Sequence, residues 1–312
     1  YMKKNLSNIK KAIKYLNNNS CVAIPTETVY GLAGNAYSDK ATAKIFKLKK
    51  RPKNNPLIVH YYNLNLLKND CVLNGKFFKL YKKYCPGPIS FVLKLKDKSL
   101  ISKNVTNNKK TLAVRFPNNI IARKLLKRLK YPLAAPSANI ATKISPVKKK
   151  DVYDEFGKKI KFILDGGKSK IGLESTIVSL INRPKILRLG GLERGKLNQF
   201  LKIKTKYIKK PKDVVVPGSN KVHYSPGIPI RLNVKKPRQS EAFILIKKKK
   251  LSGKNFYYLS KNNNLKEAAK NLYDTLRKIK KKKFKSIAVQ KISNKGLGET
   301  INDRLIRASK FQ

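Results

Sequence analysis

The stretch that decides the fold is CVAIPTETVYGLAGNA, residues 21–36. Its apolar run from Cys21 to Ile24 predicts a short buried strand, which Pro25 ends because proline cannot donate to a strand ladder. A Thr-Glu-Thr turn and two glycines follow. Small and polar residues directly after a strand are typical of a binding site at the edge of an α/β sheet.

The same arrangement repeats over roughly the first 190 residues, where apolar runs alternate with segments of helical spacing. Glycine or small polar residues stand where the runs end, which predicts an α/β domain with its site at the strand ends. An N-terminal amphipathic helix is expected to bury Leu6, Ile9, Ile13 and Leu16. Further strands are expected at 56–61, within 85–95, at 111–117, within 131–139 and within 162–191, and helices at 39–49 (N-capped by Asp39), 63–72, 75–84 and 120–129.

After residue 200 the character of the sequence changes. Residues 201–228 combine charges, prolines and glycines with little periodicity, which indicates an extended linker. Beyond it, three apolar runs and an amphipathic helix at 264–281 predict a second, smaller α/β domain. We therefore divide the chain into a catalytic domain (1–200), a linker (201–228) and a C-terminal domain (229–312).

Composition restricts the class of protein. Hydrophobic residues make up 41% of the 312, enough for a real core, so wholesale disorder is not expected. The three cysteines, Cys21, Cys71 and Cys85, lie far apart, which argues against a disulfide framework or a structural zinc site. The N-terminal segment lacks the apolar region of a signal peptide, and the sequence has no apolar run long enough to span a membrane. A cytoplasmic protein without membrane association is expected.

The formal net charge is +58. The excess is mostly lysine, spread evenly and accompanied by asparagine runs, which favours a genome-wide compositional drift over a nucleic-acid footprint. Weak binding of tRNA or other RNA at low salt is still expected from this charge.

Candidate chemistry rests on polar residues at the predicted strand ends. The familiar catalytic and nucleotide-binding signatures are missing, and the only histidines are His60 and His223. Four cations, Lys49, Arg51, Arg115 and Arg188, stand among hydroxyls and amides, a combination that suits a triphosphate. Taken alone, Lys49 and Arg51 fit surface charges, and Ser175 and Thr176 fit turn formers. Arg115 fits a ligand-binding or a structural ion pair, and His60 a satisfied core histidine. The residues alone predict an anion-binding α/β domain.

PTETVYGLAGNA (25–36) resembles the opening motif of the Sua5/YrdC family, and further matches follow in the family's order. KLKKRPKNNPLIVH (47–60) is similar to its paired-cation element, and APSANIATKISP (135–146) to its Ser-x-Asn element. GLESTIVSL (172–180), VHYSPG (222–227) and GLGETINDRLIRAS (296–309) extend the resemblance to the longer, Sua5-type members. Two departures are Lys50, where the family usually has a small residue, and RLG at 188–190, where RPG is common.

The resemblance implies a YrdC-like twisted mixed sheet with a deep positive cavity, followed by a Rossmann-like Sua5 C-terminal domain. It implies synthesis of L-threonylcarbamoyladenylate and pyrophosphate from L-threonine, bicarbonate and ATP, for the t6A modification at position 37 of tRNAs that read ANN codons. Mg²⁺ is expected on the phosphates with few protein ligands, and no organic cofactor. A downstream threonylcarbamoyl-transferase complex would take the product.

The resemblance also implies roles for individual residues. The threonine pocket would comprise Thr28, His60, Arg115, Ala135 and Ser175. ATP would be held by Lys49, Arg51, Asn55, Thr111, Ser137, Asn139, Ser145 and Arg188, with Tyr224 closing over the nucleotide. Lys49, Arg51, Arg115, Ser137 and Asn139 would be catalytic by positioning and charge stabilisation.

Two other functions are compatible with parts of the sequence. The basic surface suits a non-catalytic module that binds tRNA or ribosomal RNA. Related domains in hydrogenase maturation suggest a carbamoyl-transfer role, against which the Sua5-type linker and C-terminal domain argue.

Overall fold

The computed structural model describes residues 2–207, 223–247, 253–282 and 284–310. The helices of this part are α1 Met2–Asn17, α2 Asp39–Lys49, α3 Leu64–Asp70, α4 Gly75–Tyr84, α5 Lys103–Thr106, α6 Ile120–Lys127, α7 Lys149–Phe156, α8 Arg194–Leu201, α9 Leu265–Lys281 and α10 Leu297–Ala308. The strands are β1 Val22–Ile24, β2 Gly31–Asn35, β3 Ile58–His60, β4 Cys71–Val72, β5 Ile89–Leu95, β6 Thr111–Arg115, β7 Leu133–Ala134, β8 Phe162–Ile163, β9 Thr176–Ser179, β10 Lys185–Arg188, β11 Lys206–Tyr207, β12 Ile230–Arg231, β13 Glu241–Lys247, β14 Phe256–Ser260 and β15 Ser286–Val289.

The strands form two sheets. A large mixed sheet has the order β11-β10-β9-β5-β6-β3-β7-β2-β1-β8, with β4 paired to β5. A smaller parallel sheet has the order β12-β15-β13-β14. The predicted α/β class, with a larger and a smaller unit, is confirmed at this level. The exact domain limits stay a prediction, and residues 208–222 of the predicted linker lie outside the described residues.

The register of the large sheet places the site. Parallel pairing of β3 with β6 sets His60 beside Arg115, the last residues of their strands. On the other side of β6, antiparallel pairing with β5 sets Ser90 beside Arg115. Because β10 runs in the same direction as β6, Arg188 ends its strand at the same edge. Polar residues from distant parts of the chain therefore meet at one edge of the sheet.

The second unit packs directly on the first. Val29, Ile144, Val147 and Leu173 from loops around the large sheet share one apolar cluster with the inward faces of α9 and α10. The close approach is visible at Gly172, whose φ of +76° is compatible with glycine. A Cβ there would lie 2.7 Å from the Lys270 backbone of α9. The C-terminal helices are thus part of the surroundings of the sheet edge.

Two predicted details are wrong. Ser38, not Asp39, caps α2, because its side chain accepts the Ala41 N–H at 3.1 Å; Asp39 is the first helical residue, where a negative charge suits the helix dipole. Leu6 is 41% exposed, because the packed face of α1 begins one turn later at Ile9. Among the described helices, none combines the length and the apolarity needed to cross a bilayer.

Candidate active site

A cavity of about 40 Å³, room for a few water molecules, lies at the edge where β3, β6 and β10 end. Its walls come from the loop after β1, the loop after β7, the segment before β9 and the C-terminal part of the predicted linker. The lining residues are Thr26, Thr28, Val29, Tyr30, Gly31, Arg51, Ile58, His60, Arg115, Ala135, Pro136, Ser137, Glu174, Ser175, Arg188, His223 and Tyr224.

The Thr-Glu-Thr turn is held by its own side chains. The Thr26 hydroxyl lies 2.7 Å from that of Thr28 and donates to the Val29 carbonyl at 2.6 Å. The chain then runs close to the loop after β7, and a Cβ at Gly31 would lie 3.3 Å from that of Ala135. The turn is therefore rigid, and it presents Thr28 to the cavity.

Arg115 forms a buried ion pair that the sequence analysis did not specify. Its Nη2 donates to Glu27 Oε1 at 2.7 Å, and Glu27 Oε2 accepts the Asn118 N–H at 2.9 Å. Arg115 Nε has no hydrogen-bond partner among the described residues. A buried unpartnered donor costs about 1–3 kcal/mol, more for a charged group, unless a ligand satisfies it.

His60 presents a second unsatisfied atom to the same cavity. Its Nδ1 lacks a hydrogen-bond partner in the described part of the chain. Burial, with the neighbouring charge of Arg115, lowers the pKa of His60 to about 3, so the imidazole is neutral at physiological pH. The reading of His60 as a satisfied core histidine is not supported, and its free nitrogen suits a ligand.

The paired cations at the C-terminal end of α2 are buried, although the neighbouring Lys47 and Lys50 are exposed. Lys49 is 1% exposed, and its Nζ donates to the carbonyls of Ser137 and Asn139, each at 2.5 Å. Arg51 donates to the carbonyl of Asn55 at 2.9 Å and to its side-chain oxygen at 2.5 Å. Burial, and then the charge of Arg51, hold the pKa of Lys49 well below its usual range. An anion at this position would relieve that repulsion.

Lys50, the first departure from the family pattern, has left-handed backbone angles of φ 48° and ψ 43° and ends α2. This conformation strains a residue with a Cβ by about 1 kcal/mol, which explains a small residue here in the family. We expect Lys50→Gly to raise the free energy of unfolding by about 0.5–1 kcal/mol, measured by urea denaturation. Lys47→Gly, inside α2 and equally exposed, should lower it by about 1 kcal/mol; equal signs would contradict the strain.

The Ser-x-Asn element lies over the paired cations. Asn139 Nδ2 donates to the carbonyls of Ile140 and Lys143, while its Oδ1 has no partner among the residues described. The Ser145 hydroxyl donates to Glu174 Oε1 at 2.7 Å. The loop therefore places a serine, an amide and two cations next to one another.

The segment before β9 supplies the opposite wall. The Ser175 hydroxyl lies 2.7 Å from that of Ser90 and accepts Arg188 Nη2 at 3.1 Å. Arg188 also donates to the Ser175 carbonyl. A Cβ at Gly190 would lie 2.3 Å from the Ser175 carbonyl carbon, so only glycine lets β10 approach so closely. Arg188 and Ser175 therefore act as one unit.

The last described part of the predicted linker, from residue 223, adds a wall to the cavity. Tyr224 is 1% exposed, and its backbone N–H donates to His223 Nδ1 at 3.0 Å. Ser225 N–H donates to the Thr142 carbonyl at 2.9 Å, which ties the segment to the loop after β7. The Tyr224 side chain lines the cavity and stacks on Tyr273 of α9, with ring centroids 5.7 Å apart.

The structure brings most of the predicted residues together. Thr28, Arg51, His60, Arg115, Ala135, Ser137, Ser175, Arg188 and Tyr224 line the cavity. Lys49, Asn55, Asn139 and Ser145 are buried against lining residues. Thr111 lies at the start of β6, four residues from Arg115, and does not line the cavity. The predicted roles remain predictions.

Sequence reasoning missed several lining or supporting residues. Glu27 and Glu174 were treated as turn neighbours, yet each carboxylate is buried and paired with an arginine. The signal was available for Glu27, because a buried Arg115 requires a nearby anion and few acids occur in this chain. No local signal identified Arg304, 130 residues beyond its partner.

The charges of the site do not balance without a ligand. Five buried cations, Lys49, Arg51, Arg115, Arg188 and Arg304, lie beside three carboxylates, those of Glu27, Glu174 and the largely buried Asp303. The pKa of Arg188 is lowered by burial. An excess of buried positive charge defines an anion-binding pocket at the edge of an α/β sheet.

A pocket of this kind, in this order of elements, is that of the Sua5/YrdC family, to which the chain belongs. Residues 14–190 match the family Sua5_yciO_yrdC, described as "Telomere recombination". Residues 189–310 match a second family, described as "Threonylcarbamoyl-AMP synthase, C-terminal domain".

Individual relatives extend over nearly the whole chain. The threonylcarbamoyl-AMP synthase of Pyrococcus abyssi is 33% identical over 97% of this chain and 94% of its own length. The Bacillus subtilis enzyme of that name is 32% identical over 96% and 92%. A crystal structure of P. abyssi Sua5 complexed with L-threonine has a TM-score of 0.89, at 31% identity, covering 97% of this chain and 94% of that one. The predicted family and enzyme class, a threonylcarbamoyl-AMP synthase, are confirmed.

Proposed function

We propose that this pocket forms L-threonylcarbamoyl-AMP and pyrophosphate from L-threonine, bicarbonate and ATP. The observation that carries the proposal is the buried excess of positive charge, with unsatisfied nitrogens on Arg115 and His60, at the edge of the sheet. Bicarbonate loses hydroxide to give carbon dioxide. The uncharged threonine amine captures the carbon dioxide as a carbamate and releases a proton, which combines with the hydroxide as water. A carbamate oxygen then attacks the α-phosphorus as the bond to the β-phosphate breaks and pyrophosphate leaves. No covalent enzyme intermediate is needed, so a nucleophile–base pair is not required.

Threonine fits the wall around β3 and β6. Arg115 would receive the carboxylate, because its Nε is unpartnered among the described residues and its Nη2 is anchored by Glu27. Thr28, Ser175 and the backbone of Ala135 would surround the rest of the molecule. Neutral His60 can share a hydrogen bond with the amine or hydroxyl without adding charge. The L-threonine in the P. abyssi complex supports this choice of ligand for the pocket.

ATP fits the wall formed by the paired cations and the loop after β7. Lys49 and Arg51 would contact the phosphates, with Asn55, Ser137, Asn139, Ser145 and Arg188 around them. Fixed positive groups at the reacting phosphorus stabilise charge that develops in the transition state. We also retain the predicted deep, positive cavity and the Rossmann-like C-terminal domain as proposals. Thr111 is the least supported member of the set, since it lies at the opposite end of β6.

The donor set suits a Mg²⁺ ion held by the nucleotide. Within the described residues, no three of His, Cys, Asp and Glu lie close enough together to hold a metal ion. The carboxylates of Glu27 and Glu174 at the cavity are engaged by Arg115 and Arg304. When bound, Mg²⁺ would neutralise phosphate charge, with phosphate oxygens and water as its main ligands.

We propose that Tyr224 opens and closes the site. The cavity of about 40 Å³ is far too small for ATP, so part of its wall has to move for nucleotide to enter, and the linker segment that carries Tyr224 is the proposed part. We expect Tyr224→Ala to raise the dissociation rate of a non-hydrolysable ATP analogue about tenfold in stopped-flow measurements. Tyr257→Ala, a change in the second sheet, is the control. An unchanged dissociation rate for Tyr224→Ala would contradict the proposal and mean that the linker only connects the two units.

Pyrophosphate release tests the function directly. Purified protein with Mg²⁺ and ATP should release pyrophosphate only when threonine and bicarbonate are both present. Mass spectrometry should detect the adenylate. Release that is independent of threonine, or no release from folded protein, would overturn the proposal. The non-catalytic RNA-binding alternative predicts no release under any of these conditions, and full-length similarity to synthases does not favour it.

Partners beyond the small molecules remain proposals. The product would pass to a threonylcarbamoyl-transferase complex for t6A37 formation in ANN-decoding tRNAs. A salt titration of tRNA binding, measured beside activity, separates a functional contact from the background of the +58 charge. Binding that disappears at physiological salt without loss of activity would assign the charge to composition.

A further inference from the structure

The C-terminal helices reach the nucleotide side of the cavity through one arginine. Arg304 lies on α10, is 1% exposed, and donates from Nε to Glu174 Oε2 at 2.9 Å. Its Nη2 donates to the Leu189 carbonyl at 2.6 Å. Its guanidinium lies 4.7 Å from the centre of the Tyr224 ring. This side chain therefore contacts two residues that line the cavity, Glu174 and Tyr224, and the carbonyl of the residue that follows Arg188. Its Nη1 also pairs with the neighbouring Asp303 Oδ2 at 2.6 Å.

Glu174 is the link between this arginine and the pocket. It is buried and adjoins Ser175 in the chain. Besides Arg304, its carboxylate accepts the hydroxyls of Ser145 at 2.7 Å and of Tyr273, on α9, at 2.9 and 3.0 Å. Burial raises the pKa of Glu174, but the charges of Arg304 and Arg188 outweigh it and lower the pKa to about 2. Glu174 is therefore ionised and fixed in place.

The charge on Glu174 would harm ATP binding if Arg304 did not hold it. A buried carboxylate without its partner seeks another cation, and Arg188 is already close enough to affect its pKa. Pairing with Arg188 would draw that side chain toward Glu174 and place a negative charge beside the phosphates. Ser145 would move with the carboxylate it binds. Loss of Arg304 should thus weaken ATP binding through Glu174, without any contact between Arg304 and ATP.

We infer that Arg304 of the C-terminal domain is a positioning residue for ATP: by holding Glu174, the Leu189 carbonyl and Tyr224, it keeps Arg188, Ser145 and the closing segment in their binding arrangement. The inference rests on the proposed function and adds to it a reason for the second unit. The main threonine contacts proposed, Arg115 and His60, are not touched by Arg304. Threonine binding should therefore change much less than ATP binding, through Ser175 alone, which adjoins Glu174 and accepts Arg188.

The test separates this role from general docking of the two units. Arg304→Gln should raise the Kd of a non-hydrolysable ATP analogue about 30- to 100-fold by calorimetry, and the Kd of threonine by less than threefold. Adding Glu174→Gln to Arg304→Gln should lower the Kd of the ATP analogue again by at least tenfold, because the unpaired carboxylate is then gone. Asp274→Asn is the matched control, since Asp274 joins α9 to Lys148 and Lys168 of the first unit without lining the cavity. Its ATP affinity should stay within twofold of wild type.

Several outcomes would overturn the inference. The first is an equal loss of affinity for the ATP analogue and for threonine in Arg304→Gln. The second is an ATP affinity that Glu174→Gln does not restore. The third is an equal loss of ATP affinity in Asp274→Asn. If Arg304→Gln does not fold, Tyr273→Phe removes one hydrogen bond from Glu174 and should weaken ATP binding three- to tenfold in the same selective way. Failure of the proposed function would appear separately, as wild-type protein that binds no ATP analogue or releases no pyrophosphate.

Discussion

Arg115→Ala should raise the KM for threonine by about 10²–10³-fold, while the KM for ATP stays within about threefold. The loss corresponds to about 3–4 kcal/mol, the range for removing a buried, charge-assisted contact to a carboxylate. The selectivity follows from position, because Arg115 ends β6 beside His60, whereas Lys49 ends α2 and Arg51 follows it. Initial rates of pyrophosphate release, with each substrate varied in turn, give both constants.

Two further variants make this result specific. Arg115→Lys keeps the positive charge but loses the two parallel N–H donors of the guanidinium, and should raise the threonine KM about 10- to 100-fold. Glu27→Gln removes the carboxylate that pairs with Arg115 but keeps the guanidinium. It should raise the threonine KM less than Arg115→Ala or Arg115→Lys does. Equal changes in the two KM values for Arg115→Ala would contradict the assignment of its side chain to threonine.

Lys49→Met should lower kcat by about 10³-fold. Lys49 Nζ lies buried between the carbonyls of Ser137 and Asn139, where in the proposed function its positive charge would stabilise the transferring phosphate. Methionine has similar length and occupies the volume, so packing of α2 should change little. Single-turnover pyrophosphate formation at saturating ATP and threonine measures the step directly.

The control for Lys49 lies two residues earlier on the same helix. Lys47→Met removes the same charge from an exposed position and should leave kcat within twofold of wild type. Comparable losses in the two variants would mean that the overall positive field, and not the buried ammonium, drives the reaction. Circular dichroism of both proteins checks that α2 is intact.

Much of the fold could be predicted because its signals are local. The helix bounds 39–49 and 75–84 match α2 and α4, and the apolar runs identified the positions of most strands. The four helices α5, α7, α8 and α10 were not predicted. The first three have at most eight residues, whereas α10 has twelve and buries Leu297, Ile301, Leu305 and Ala308 at helical spacing, a signal that was available in the sequence. The error at Leu6 has another cause. Periodicity identifies the apolar face of a helix, but it does not show at which residue that face begins to pack on the rest of the protein.

The sequence by itself determined the α/β class, the polar strand ends and, through ordered motifs, the family. It also separated Lys49 and Arg51 from Lys47, Lys50 and Lys53, and the first two are buried whereas the other three are exposed. Only the tertiary structure decided which charges face each other. Arg115 meets Glu27 across 88 positions and Arg304 meets Glu174 across 130, because strand order and helix docking, not local sequence, bring them together. Desolvation in that shared interior turns ordinary surface-type residues into a site.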